Sequence, residues 1–194
     1  MRQNHVVTFT GGQDPLLAEP AAAAAAAPPD AAAWHAWLAD EVTRHRFGAL
    51  TYRRGPGKCA YWLGAISSTG HGKFRAGSRA RGSGAESRIV SAHVYAYQLE
   101  HGIIQGGLVV RHRCDEASCM AGEHLISGHQ GENVSDYQAR RLVPGPLADR
   151  RGARGRAMAI RDAIRAALHD GTDPEAALAT AIADGIGGHQ EPLF

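Results

Sequence analysis

Apolar residues recur along this chain at two periods, and the changes of period divide it into elements. Behind Asp30, a residue type that caps helix starts, Trp34, Trp37, Leu38 and Val42 share one helical face. The pattern predicts one N-terminal helix over residues 30–48 with the two tryptophans as core anchors. Residues 59–66 (C-A-Y-W-L-G-A-I) are strand-like, Ser68-Thr69-Gly70 is a turn, and residues 71–76 form the return strand of a hairpin. After a Gly/Ser/Arg loop over residues 77–84, Ile89, His93, Ala96, Tyr97 and Glu100 mark a helix that stops at Gly102. Residues 107–111 (G-L-V-V-R) predict a short strand that delivers His112. Leu125 and Ile126 form a second short strand, and residues 130–141 a helix, so the order is strand, loop, strand, helix. A basic amphipathic helix follows over residues 157–168, carrying Met158, Ile160, Ile164 and Leu168. A last alanine-rich helix begins at Asp173-Pro174 and ends near Gly185.

Composition adds boundaries. The first 29 residues include seven consecutive alanines between prolines, a stretch with no packing face, and read as a leader and linker. With the helix over 30–48, a core over 49–145 and a helical extension over 146–194, the chain is one domain with appendages, as its 194 residues suggest. No apolar run is long enough to span a bilayer, and the N-terminus lacks a signal-peptide layout. The expectation is a cytoplasmic protein with no membrane partner.

The formal net charge of +2 hides an uneven distribution. Between Arg53 and Arg88 eight basic residues face the single Glu86, and between Arg140 and Arg165 eight arginines face two aspartates. Two basic blocks on either side of one short segment suit a phosphate backbone, although either block alone would pass as ordinary surface.

That segment holds the candidate chemistry. Cys114, Cys119 and His124 stand at C-x4-C-x4-H spacing, His112 lies two residues before the first cysteine, and Asn133 nine after His124. The one remaining cysteine is Cys59. Three thiolates and an imidazole complete a tetrahedral Zn2+ site and leave no sulfur over for a disulfide. With every position filled by protein, the zinc would be structural. His112, just outside this set, is placed to act as a general base on water. Asn133 can offer its carbonyl oxygen to a hard cation such as Mg2+, with Mn2+ as a substitute. The bland alternatives are an extra zinc ligand for His112 and a helix-start cap for Asn133.

Residues 107–141 closely resemble the HNH, or His-Me finger (ββα-metal), endonucleases. The likeness is strongest to the zinc-containing His-Cys box homing enzymes and their phage-borne relatives, whose pattern H-x-C-x4-C-x4-H-x8-N is filled by His112, Cys114, Cys119, His124 and Asn133. Upstream, Cys59-Ala60-Tyr61-Trp62-Leu63-Gly64 and Gly70-His71-Gly72-Lys73-Phe74 look like the family's C-x-x-W-x-G … G-Y-G-x-F hairpin, with His71 where tyrosine is common. The resemblance implies an α+β fold: a ββα-metal core with structural zinc, an N-terminal hairpin and flanking helices. It implies His112 as general base, Asn133 as the Mg2+ ligand, and Cys59, Cys114, Cys119 and His124 as zinc ligands. It also implies an arginine near the scissile phosphate, for which Arg75, Arg79 and Arg81 are candidates.

The resulting expectation is a Mg2+-dependent endonuclease acting on double-stranded DNA in homing, phage processing or restriction. Lys73, Arg75, Arg79 and Arg81 would contact DNA, and a homodimer would let two such sites cut both strands. The rival is a zinc-stapled DNA-binding protein on the same scaffold without catalysis.

Overall fold

The computed structural model of the chain describes residues 29–77, 87–141 and 143–186, so the alanine-rich leader over residues 1–28 lies outside the described residues. Among the described residues the fold is mixed α and β, with six α-helices and three small antiparallel sheets. Where one helix was expected after Asp30 there are two, α1 (Ala31–Ala39) and α2 (Glu41–Ala49). Asp40 separates them: its backbone is extended and its carboxylate accepts from the Thr43 N–H and hydroxyl, so it starts a second helix instead of continuing the first. Val42 consequently leaves the tryptophan face and is 65% exposed, while Trp34 and Trp37 are buried as core anchors.

Three short strands follow, β1 (Thr51–Tyr52), β2 (Tyr61–Trp62) and β3 (Ala65–Ile66), and then β4 (Gly72–Ala76). The expected hairpin exists as the β3–β4 pair, but it is not a free ribbon. β5 (Arg88–Ser91) pairs with the other edge of β4, in register from Lys73↔Ser91 to Ala76↔Arg88. Ile89, expected at the start of a helix, therefore sits in a strand, and α3 begins only at Ala92 and ends at His101. β6 (Val109–His112) and β7 (Leu125–Gly128) form the next pair, with His112 opposite Leu125, and α4 (Gln130–Arg140) follows directly.

The core is aromatic. Phe47 and Phe74 each contact the other, Trp62 and Tyr95, with ring centroids 4.8–5.7 Å apart, and the Tyr95 hydroxyl donates to the Trp37 carbonyl at 3.1 Å. Gly72 makes this packing possible, because a Cβ there would come within 2.6 Å of the Trp62 indole. A second apolar cluster joins Tyr61 and Leu63 to Ile160, Ile164, Leu178 and Ala181. It lies on the last two helices, α5 (Gly152–Asp170) and α6 (Pro174–Ile186). Ala157, Ile160, Ile164 and Ala167 form the buried stripe of α5 at helical spacing, whereas Leu168 is 52% exposed. None of the described helices is long and apolar enough to cross a membrane.

One residue on that stripe is charged. Arg156 is buried and bonds Glu116 at 2.7 Å and Asp149 at 3.3 Å, tying α5 to the loop after β6. Arg156→Met leaves the Glu116 carboxylate without its cationic partner, and a loss of about 3–5 kcal/mol of unfolding free energy is expected on denaturant titration. A loss under about 1 kcal/mol, the size of a surface ion pair, would contradict this role.

Candidate functional site

The loop between β6 and β7 is closed by backbone bonds before any side chain takes part. The Arg113 N–H donates to the His124 carbonyl at 2.8 Å, and a single turn of 3-10 helix over Gly122–His124 brings the chain back to β7. The loop also pairs with β2. Trp62 N–H donates to the Ser118 carbonyl at 3.0 Å, Met120 N–H donates to the Ala60 carbonyl at 2.6 Å, and Tyr61 bridges to Cys119. This pairing carries Cys59 across more than fifty residues of sequence to the loop cysteines. The donor atoms of Cys59, Cys114, Cys119 and His124 all lie within 4.8 Å of one another. His124 Nδ1 is 3.6 Å from the Cys59 sulfur and 3.5 Å from the Cys119 sulfur.

Such a group can hold a metal ion, and its composition suits zinc: soft thiolates and an imidazole on a loop that wraps one point. The sulfurs are too close to ionise independently. Hydrogen bonding from Cys119 and Cys59 drives the Cys114 thiol far down, and sharing with the Cys114 sulfur pushes Cys59 up to about 12 and Cys119 higher still. A divalent cation removes that conflict by stabilising all three thiolates.

The loop also fixes His112. Its Nε2 lies 3.0 Å from the Cys119 carbonyl oxygen, which can only accept, so Nε2 carries the proton and Nδ1 keeps the lone pair. Burial lowers the pKa of the ring, against the opposing pull of Cys114, so the neutral form is favoured. His112 and Asn133 both line one cavity of about 370 Å³ between the β3–β4 turn, β6 and α4. The helix that carries Asn133 is set by its first turn, where Glu132 accepts the His129 N–H at 2.7 Å. Asp136, one turn on, lines the same cavity but is bound by both Arg111 and Arg140, and Arg140 reaches Asp115 at 3.2 Å as well.

Two histidines that the sequence assigned to the hairpin (His71) and to the following helix (His93), and not to the site, complete the cavity wall. His93, near the start of α3, is 7% exposed; it bonds the Val110 backbone, and its Nδ1 has no partner. His71 comes from the β3–β4 turn. The three rings lie 4.6 Å (His71–His93), 5.0 Å (His93–His112) and 5.7 Å (His71–His112) apart. Burial, and then the neighbouring His112, lowers His71 to about 4 and His93 well below its ordinary value. A signal for His71 lies in the alternation Ser67-x-Thr69-x-His71 at a turn, whereas for His93 the helical register and the likeness of the run Ala92-His93 … Tyr97 … Gly102 to the family's helix before the motif say nothing of a place in the site.

The basic candidates are placed differently. Lys73 is exposed and Arg75 half-buried on β4, with Arg75 Nη1 3.4 Å from the Ser87 hydroxyl, and neither lines the cavity. Arg79 and Arg81 lie outside the described residues.

Protein 7.7 of Escherichia phage T7 is 26% identical to this chain over 104 residues, which cover 53% of the chain and 73% of that protein. No family model and no solved structure matches the chain.

Proposed function

We propose that this protein is a metal-dependent DNA endonuclease of the His-Me finger type, in which the Cys3His group is a zinc staple and the cavity beside it is the active site. The observation that carries the reading is the bond from His112 Nε2 to the Cys119 carbonyl. It makes the loop that can bind zinc also the element that selects the tautomer of the nearby base. In this reading the lone pair on His112 Nδ1 takes a proton from a water molecule. The water oxygen attacks the phosphorus, the bond to the 3′ oxygen breaks, and the departing 3′ oxygen takes a proton from solvent to become a hydroxyl while a 5′ phosphate remains. Asn133 would hold a Mg2+ ion through its side-chain carbonyl, and the ion would neutralise charge on the phosphate and the leaving oxygen. A β6–loop–β7–α4 order with the base ending the first strand and the amide on the helix supports a ββα-metal core. A homing, phage-processing or restriction role accommodates a phage relative.

The test is a Mg2+ titration on supercoiled plasmid, with EDTA as control. Cleavage should rise with Mg2+ and vanish in EDTA. Asn133→Ala should keep its zinc and its melting transition but lose on the order of 100-fold or more in rate. Binding of DNA without cleavage at any Mg2+ or Mn2+ concentration would instead favour a zinc-stapled DNA-binding protein.

A further inference from the structure

A phosphodiester in this cavity needs a hydrogen-bond donor, and the guanidinium ends of the cationic side chains lining the cavity are already held by carboxylates. Arg111 is bound to Glu132 at 3.4 Å and to Asp136 through its terminal nitrogens, with its Nε buried and unpartnered against Gly128, and Arg140 is bound to Asp115 and Asp136. Lys73 and Arg75 are not in the cavity wall, to which the β3–β4 turn contributes Thr69 and His71.

The turn is wired to present His71. Gly70 has φ +87°, a conformation that favours glycine, and a Cβ there would lie 2.7 Å from the Ala153 backbone, so the turn is seated against the start of α5. The Ser67 N–H donates to the His71 carbonyl at 2.8 Å, and the His71 N–H donates to Ser67 Oγ at 3.1 Å. Ser67 Oγ is 2.9 Å from Thr69 Oγ1, which is 3.0 Å from His71 Nδ1. One direction of proton donation uses every group: Ser67 donates to Thr69, Thr69 donates to Nδ1, and the ring proton sits on Nε2. The neighbouring rings agree with this choice: His93 and His112 each spend their proton on the backbone, at Val110 and Cys119, so neither supplies a proton to His71.

We propose that His71 is the phosphate-contacting residue of the cavity, its Nε2–H donating to a non-bridging oxygen of the phosphodiester while Ser67 and Thr69 hold the tautomer. The inference rests on the endonuclease reading and assigns to a neutral imidazole the place that the resemblance gave to an arginine. The lowered pKa of His71 agrees with a ring that is uncharged at neutral pH.

The test compares wild type, His71→Phe, His71→Gln and Thr69→Val on supercoiled plasmid at saturating Mg2+, with zinc content and melting checked for each. His71→Phe keeps a ring beside His93 but offers no donor, and kcat should fall on the order of 100-fold with KM within about threefold. His71→Gln, which retains an N–H donor, should keep at least about tenfold more activity than His71→Phe, and Thr69→Val should fall between. If the ring matters only for packing, the order of Phe and Gln reverses, and the inference is overturned. It is equally overturned if His71→Phe stays within twofold of wild type. Should either His71 variant lose zinc, Thr69→Val decides: Thr69 is exposed, and an unchanged kcat counts against the assignment. Wild type that cleaves nothing overturns the endonuclease reading and this inference together, whereas active wild type with an indifferent His71 overturns this inference alone.

Discussion

Cys119→Ser is expected to abolish the cooperative thermal transition and the bound zinc together. Cys119 is fully buried, its sulfur lies among those of Cys59 and Cys114 beside His124, and it accepts the Ala121 N–H at 3.4 Å. Its backbone belongs to the stretch that pairs with β2, and the next residue, Met120, is packed in the aromatic core. A serine hydroxyl is a poor ligand for zinc. Structural zinc binding is worth on the order of 10 kcal/mol, comparable with the whole net stability of a domain this size. The loss should therefore open the junction between β2, the loop and the β6–β7 pair. Circular dichroism melts with zinc quantified in parallel provide the check. A zinc-free Cys119→Ser protein melting within about 5 °C of wild type, a shift of one or two kcal/mol, would show that the cluster is not a staple.

His112→Ala is expected to leave that staple intact and to remove cleavage. The side chain is half-buried and, through Nε2, makes one bond to the Cys119 carbonyl, so truncation costs stability of about 1 kcal/mol. A positioned general base contributes about 10²–10⁴-fold to rate, and the reduction should fall in that range. The contrast between the two substitutions is the informative part. One should destroy fold and activity, the other activity alone, although the two residues are seven positions apart and in direct contact.

The parts of this arrangement legible in the sequence are those whose signals are local. The C-x4-C-x4-H spacing marks ligands on one loop, and the strand–loop–strand–helix order follows from short apolar runs bounded by turn residues. Asp30 is an N-cap in fact as in expectation, its carboxylate accepting the Ala33 N–H at 2.8 Å. What was not legible depends on contacts distant in sequence. Ile89-Val90 fits a helical face with His93 and Ala96, yet tertiary pairing with β4 makes it a strand. Arg156 reads as part of a basic block that would pass as ordinary surface, and its burial is explained by Glu116, forty positions away, together with Asp149. The cap at Asp40 was open to reading, since Asp is a helix-capping residue type and Glu41 puts an acid in the first turn that follows, but the continuous tryptophan spacing masked it. The histidine trio draws on a turn, a helix and a strand, so no window of sequence contains it.

The central claim is that a metal-binding loop orients a catalytic base, and one side-by-side measurement addresses it most directly. Supercoiled plasmid is incubated with wild type and with His112→Ala, each carrying a measured zinc content, in Mg2+ and in EDTA. Nicked or linear product is expected from wild type in Mg2+ alone, at a rate at least about 100-fold above that of the zinc-loaded His112→Ala protein. Equal cleavage by the two proteins, or no cleavage by either alongside tight DNA binding, would contradict it.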